Sequence, residues 1–200
     1  MQRRYNQYLL IVTEGSKTEP LYFTEMINFE RLYSAWIEVT PGEYGNNPMS
    51  VINYALDRKK ENKLENKRHG EPKYDAIYCV IDRDDHPNFN DAYIKGISNG
   101  LKIIRSIPCF EIWFLLHFIY STKIYVKRNN LYRTLRKFIP NYAKGKSCFN
   151  QLWAKKDTAL KNAILLVQAQ RAITDIVNEH PNPFTEVHIL VNDLLKQKVV

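Results

Sequence analysis

Tyr78-Cys79-Val80-Ile81-Asp82-Arg83-Asp84-Asp85-His86 is an apolar run that ends abruptly in acids and a histidine. Residues 75–81 are rich in β-branched and aromatic side chains and apolar at both alternating sets of positions. That is the pattern of a strand buried on both faces of a parallel sheet. The acids therefore stand at a strand's carboxyl end, where ligands bind in an open α/β sheet. Asp82 and Asp84 are two apart, so extended backbone through residue 84 aims both carboxylates one way and Arg83 the other. Paired carboxylates repel unless a cation joins them, and hard oxygen donors so arranged suit Mg2+ or Mn2+. The alternative is an acidic turn capping a helix that begins near Asn88 or Phe89, since Asp and Asn favour helix starts.

Upstream, residues 8–12 read as a first buried strand, cut off by Thr13-Glu14-Gly15 and followed by a helix over 20–29. A strand, a glycine turn and a helix form a phosphate- or metal-site architecture, because backbone N–H groups are free at the helix start. Glu14 stands at that strand's carboxyl end, as Asp82 does at its own. Gly15-Ser16-Lys17-Thr18 is not a Walker A loop, lacking both its leading glycine and its Gly-Lys dipeptide. A second strand is expected at 35–40, a helix at 48–60, a helix at 89–98 and a fourth strand at 101–106 after the break at Gly100. The most polar region, 58–72, reads as a helix end running into an exposed loop.

Strands and helices that alternate in this way predict an α/β fold, a mostly parallel sheet covered by helices, over residues 1–120. After Pro108 the texture changes: helices are expected over 110–120, 131–139, 152–173 and 184–196, with no further strand. Residues 121–200 thus form a helical C-terminal lobe packed on the sheet domain.

The chain has 200 residues, 44% of them hydrophobic, enough for a sizeable core, and its net charge of +8 and pI near 9.3 favour polyanionic partners. The apolar run at 8–12 is too short for a signal sequence and that at 112–120 too short to span a bilayer, so a soluble cytoplasmic protein with no membrane association is expected. Cys79, Cys109 and Cys148 are widely spaced and read as reduced core thiols, not a disulfide set or a zinc site. Arg128, Arg133, Arg136, Lys144 and their basic neighbours interleave with Tyr125, Tyr132 and Tyr142. Stacking and phosphate contacts use those groups, so a nucleic-acid surface is expected on the lobe.

An acid after the first strand and an Asp-x-Asp pair after the third resemble the Toprim fold of topoisomerases, primases and OLD-type nucleases. The match is closer to the RloB family. It is carried by Ile11-Val12-Thr13-Glu14-Gly15-Ser16-Lys17-Thr18-Glu19-Pro20 with Tyr22-Phe23, by Asp82-Arg83-Asp84-Asp85-His86, by Pro108-Cys109-Phe110-Glu111-Ile112-Trp113, and by Asn182-Pro183-Phe184-Thr185-Glu186-Val187. The resemblance implies a small Toprim-like protein of bacterial restriction and phage-defence loci, encoded beside an ATPase of the ABC or AAA type. It makes Glu14 the Toprim glutamate and Asp82 and Asp84 its acid pair. Glu111 is similar to the later acid that completes a metal site in OLD-type nucleases.

The expected reaction is phosphodiester hydrolysis of DNA or RNA, tRNA included, at one or two Mg2+ or Mn2+ ions. Ions ~3.5–4 Å apart need several acids from different strands. Glu14, Asp82, Asp84 and Glu111 are the candidate metal ligands, with Glu19 as a further ligand or general base. Lys17, Arg83, His86 and Arg105 are candidates for holding substrate phosphate. Plainer roles compete: first-turn helix acids for Glu19 and Glu111, a loop histidine for His86, a hydrogen-bonded core histidine for His117. Two other functions compete as well. A regulatory subunit binds nucleic acid or nucleotide without turnover, and a haloacid dehalogenase-type phosphatase also begins from Asp-x-Asp, though on its first strand. Oligomerisation is left open.

Overall fold

Five stretches rich in Ile, Val, Leu and Tyr become strands: β1 (Gln7–Thr13), β2 (Ala35–Pro41), β3 (Ala76–Asp82), β4 (Lys102–Ile107) and the two-residue β5 (Phe184–Thr185). The computed structural model describes residues 5–83, 88–173 and 181–198. Among them the strands form a sheet in the order β2-β1-β3-β4-β5, parallel except for the antiparallel β4–β5 pair. The first three crossovers are the helices α1 (Thr18–Glu30), α2 (Pro48–His69) and α3 (Phe89–Ser98). Because β2 and β3 lie on opposite sides of β1, the connections diverge between β1 and β3. The carboxyl ends of those two strands flank the crevice where α/β sheets place their ligands.

Alternation along the strands builds two cores. Leu9, Ile11, Tyr78, Val80 and Ile104 face one way, against Tyr22, Phe23 and Met26 of α1. Leu10, Val12, Ile77, Cys79, Ile81 and Ile103 face the other, against Val51, Ile52 and Ala55 of α2 and Phe89 and Ala92 of α3. Both faces are covered, as the continuous apolar runs require. The first core continues into the C-terminal helices, α4 (Glu111–Leu116), α5 (Arg128–Leu135), α6 (Phe149–Trp153), α7 (Lys156–Arg171) and α8 (Val187–Leu195). Trp113, Leu135, Leu152, Leu166 and Leu190 are all buried in it.

In the polar region 58–72 the helix extends further than expected: α2 runs to His69 and ends at Gly70, whose φ of 69° is left-handed. Lys, Glu, Arg and Leu are good helix formers, and a helix half off the sheet needs no apolar stripe along its outer turns. Its start is capped by the Asn47 side chain, which accepts the Ser50 N–H at 3.0 Å. The expected helix over 184–196 is shortened by β5, where Ser106 pairs with Thr185 and Ile107 with Phe184. A two-residue strand has no periodicity to read, and only its β4 neighbour defines it. The helix expected over 152–173 is two helices, α6 and α7. No helix among the described residues is long and apolar enough to cross a membrane.

Candidate functional site

Parallel pairing sets Thr13 beside Val80, and the Glu14 N–H extends the ladder by donating to the Val80 carbonyl at 3.0 Å. Two residues further on β3, the Asp82 N–H donates to Glu14 Oε2 at 3.1 Å. Two acids 68 positions apart are thereby locked side by side at the carboxyl ends of β1 and β3. Glu14 and Asp82 line a cleft of about 300 Å3 together with Gly15 and Lys17 of the loop into α1, Thr18 and Glu19 in its first turn, Arg128 at the start of α5, and Lys144 and Gly145.

Glu19 is brought back over the turn. A Cβ on Gly15 would lie 2.0 Å from Glu19 Oε2, so the missing side chain at position 15 is what leaves room for that carboxylate. Glu111, in the first turn of α4, is 1% exposed and accepts the Tyr142 hydroxyl at 2.8 Å. The loop after α5 closes the cleft from above: the Gly145 N–H donates to Thr18 Oγ1 at 3.1 Å, and Lys17 lies along Gly145.

Glu14, Glu19, Asp82 and Glu111 are all buried. Burial first, then Glu19, Glu14 and Glu111, push the Asp82 carboxyl well above the usual carboxylate range, and Arg128 only partly opposes them. The nearest ion pair to Asp82 among the described residues is loose, Arg128 Nη2 standing 3.6 Å from Oδ2. Glu19 is raised by burial and by Glu111, against backbone donors and Lys144. Two buried oxygens, Asp82 Oδ1 and Glu19 Oε2, have no hydrogen-bond partner among the described residues. Unmatched carboxylate oxygens of this kind are costly in a protein interior and relieved by a cation.

Hard oxygen donors with unmet charge fit Mg2+ or Mn2+ in kind. The described residues alone do not complete such a site, since no three His, Cys, Asp or Glu among them are grouped to hold a metal ion. Asp84 and His86 lie outside the described residues. Burial, Glu111 and Asp82 raise the Cys109 thiol well above its ordinary pKa.

The phosphate-binding candidates divide. Lys17 lines the cleft. Arg83 is exposed and is not in the cleft lining; its N–H donates to the Ser106 carbonyl at 2.9 Å. Arg105 has to be corrected. It shares its side of the sheet with Ile103, opposite Val80 and Asp82, and is 2% exposed. Its guanidinium is forked onto Glu186 at 2.8 and 2.7 Å and stacked between Tyr93 and Phe184. It joins β4 to the chain entering α8 and is not in the lining of the cleft that holds Glu14 and Asp82. Arg128 and Lys144 reach the acids in its place. In the sequence they stood only among the lobe's basic residues, because nothing local marks which of them folds back over the sheet.

The family model for RloB-like proteins matches residues 9–194 of the 200. The chain belongs to the RloB-like family. No curated protein and no solved structure matches it. The RloB-like match spans both the sheet and the C-terminal helices, so Arg128 and Lys144 lie within it as Glu14 and Asp82 do.

Proposed function

We propose that this RloB-like chain is a metal-dependent nuclease that hydrolyses phosphodiester bonds of DNA or RNA, tRNA included. The observation that carries the reading is the Asp82 N–H held by Glu14 Oε2, with the buried carboxylates of Glu19 and Glu111 turned to the same place and Lys17, Arg128 and Lys144 around it. The likeness to the Toprim acid pattern supports it. Glu14, Asp82, Asp84 and Glu111 are the residues that would hold Mg2+ or Mn2+. The ion's chemistry is to neutralise phosphate charge and lower the pKa of an attacking water. Lys17, Lys144 and Arg128 bind and orient the phosphate. Glu19, whose pKa is raised, accepts the water's proton at Oε2. The loop that closes the cleft from above, Gly145 against Thr18, limits bulk water around the reacting phosphate.

Anti-phage defence beside an ABC- or AAA-type ATPase, in the reducing cytoplasm that suits three buried thiols, completes the proposal. The test is incubation of the protein with DNA, RNA and tRNA in Mg2+ or Mn2+, with and without the ATPase. Cleavage should fall by about 100-fold or more in Glu14→Ala and Asp82→Ala, the scale of losing a charge-stabilising group. No cleavage in any condition, or cleavage untouched by both substitutions, defeats the reading.

The Arg128–Asp82 pair, which sets a cation against the central acid, favours a second reading, a regulatory subunit that binds nucleic acid without turnover. Tight, salt-sensitive binding with no cutting distinguishes it.

A further inference from the structure

The chain between α5 and α6 carries Tyr142, Lys144 and Gly145, and the last two line the acid cleft. It is fastened on both sides of Lys144. On one side the Tyr142 hydroxyl donates to Glu111 Oε1 at 2.8 Å, and on the other the Gly145 N–H donates to Thr18 Oγ1 at 3.1 Å. A third bond, from Ser147 Oγ to Glu25 Oε2 at 2.9 Å, is exposed.

The Tyr142 ring is buried, tilted against Tyr132 at 5.9 Å between centroids and edge-on to Phe114 at 6.2 Å, and its carbonyl accepts Arg136 Nε at 3.2 Å. Packing alone would be met by phenylalanine. The hydroxyl goes further, into a carboxylate buried as deeply as the ring. A phenol with a pKa near 10 is a donor at neutral pH, and a bond to an ionised oxygen is about twice as strong as one to a neutral oxygen. The Cys109 thiol also hydrogen-bonds to Glu111, but a thiol is a weak donor.

Glu111 is near enough to bear electrostatically on both Asp82 and Glu19. A glutamate side chain has several freely rotating bonds, so a donor fixed to one oxygen limits where the other points. Carboxylates that hold metal ions are themselves hydrogen-bonded from behind, and those outer partners set their aim. We infer that Tyr142 is a positioning residue: its hydroxyl keeps Glu111 turned toward Asp82 and Glu19, and its place two residues before Lys144 sets that lysine over the acids. This role rests on the nuclease reading, in which Glu111 is one of the acids that hold Mg2+ or Mn2+.

Mn2+ binding by the full chain is followed without nucleic acid, from the electron paramagnetic resonance signal of the free ion. Tyr142→Phe keeps the ring and should raise the Mn2+ dissociation constant by about tenfold or more. The double variant Tyr142→Phe/Glu111→Gln should bind no more weakly than Glu111→Gln alone, since a residue acting through Glu111 has nothing left to act on. Ser147→Ala, which loosens the same stretch of chain at its exposed bond, should leave the affinity unchanged. A melting temperature in EDTA within a few degrees of wild type separates lost positioning from lost folding. Absent cleavage sinks the nuclease reading but leaves this measurement standing, because no substrate enters it. No Mn2+ bound by the wild type, a smaller loss in Tyr142→Phe, an equal loss in Ser147→Ala, or a double variant weaker than Glu111→Gln overturns the inference.

Discussion

Asp82 concentrates the tension of this protein in one side chain. Its carboxyl is 4% exposed, one oxygen lacks a hydrogen-bond partner among the described residues, and three acids surround it. In EDTA, Asp82→Asn should therefore raise the melting temperature by a few degrees, each recovered kcal/mol being about 2–4 °C in a chain of this size. Mn2+ should raise the melting temperature of the wild type and leave the variant's unmoved. Differential scanning fluorimetry reads both, and a variant less stable than wild type in EDTA would show the charge to be better matched than the geometry indicates. His117 is a second buried group with a measurable cost. Its ring is fully buried, with Nδ1 donating to the Trp113 carbonyl at 2.9 Å, and burial lowers its pKa to about 4. A histidine depressed on folding contributes stability above its unfolded pKa, near 6.5, and that contribution is lost as pH falls through the folded value. Between those limits the wild type should lose about 3 kcal/mol that His117→Phe does not, measured by urea unfolding at pH 6.5 and pH 4.

At the scale of elements, the cleft depends on how the lobe is fastened to α1. The loop after α5 is held by the Gly145 N–H on Thr18 Oγ1, at a glycine with φ of 76°. A side chain there is strained by its left-handed backbone and meets Lys17 Cδ at 3.1 Å. Gly145→Val should destabilise the protein by about 1–2 kcal/mol and, by lifting Lys144 from Glu19, reduce activity more than that loss accounts for. Activity and melting temperature on one sample separate the two effects. Elements also show where sequence reasoning succeeds and fails. α3 was legible residue for residue, with Phe89 and Ser98 as expected, because turn and glycine signals flank it. The outer half of α2 was misread because exposed helix and exposed loop share a polar composition. β5 was misread because two residues carry no period.

The whole molecule has an apolar cluster running from Leu9 in β1 through Trp113 in α4 to Leu194 in α8. Sheet and lobe bury each other, and the family match likewise spans both. Urea unfolding should therefore be a single transition, with far-ultraviolet circular dichroism and the emission of buried Trp113 and Trp153 coinciding. Residues 1–120 expressed alone should fail to give that transition, since they leave bare the sides of α1, α4 and β4 that the C-terminal helices cover. Two separated transitions would instead mark sheet and lobe as independently stable.

What the residues alone determined was the order of the first four strands with the three helices between them, and the places where acids end strands. Both are local: apolar runs force burial, and glycine and proline interrupt them. Glu14 and Asp82 were legible as candidates for that reason, with Asp84 and His86 beside Asp82, whereas Glu111 became a candidate through the family resemblance. Only the tertiary structure decided which charges meet. Arg105 turned to the far face to hold Glu186, while Arg128 and Lys144 were carried over the acids by a lobe more than forty residues further along the chain. Pairing of charges across the sheet depends on register and face, and those are settled by the packing of whole elements, not by any stretch of sequence taken singly.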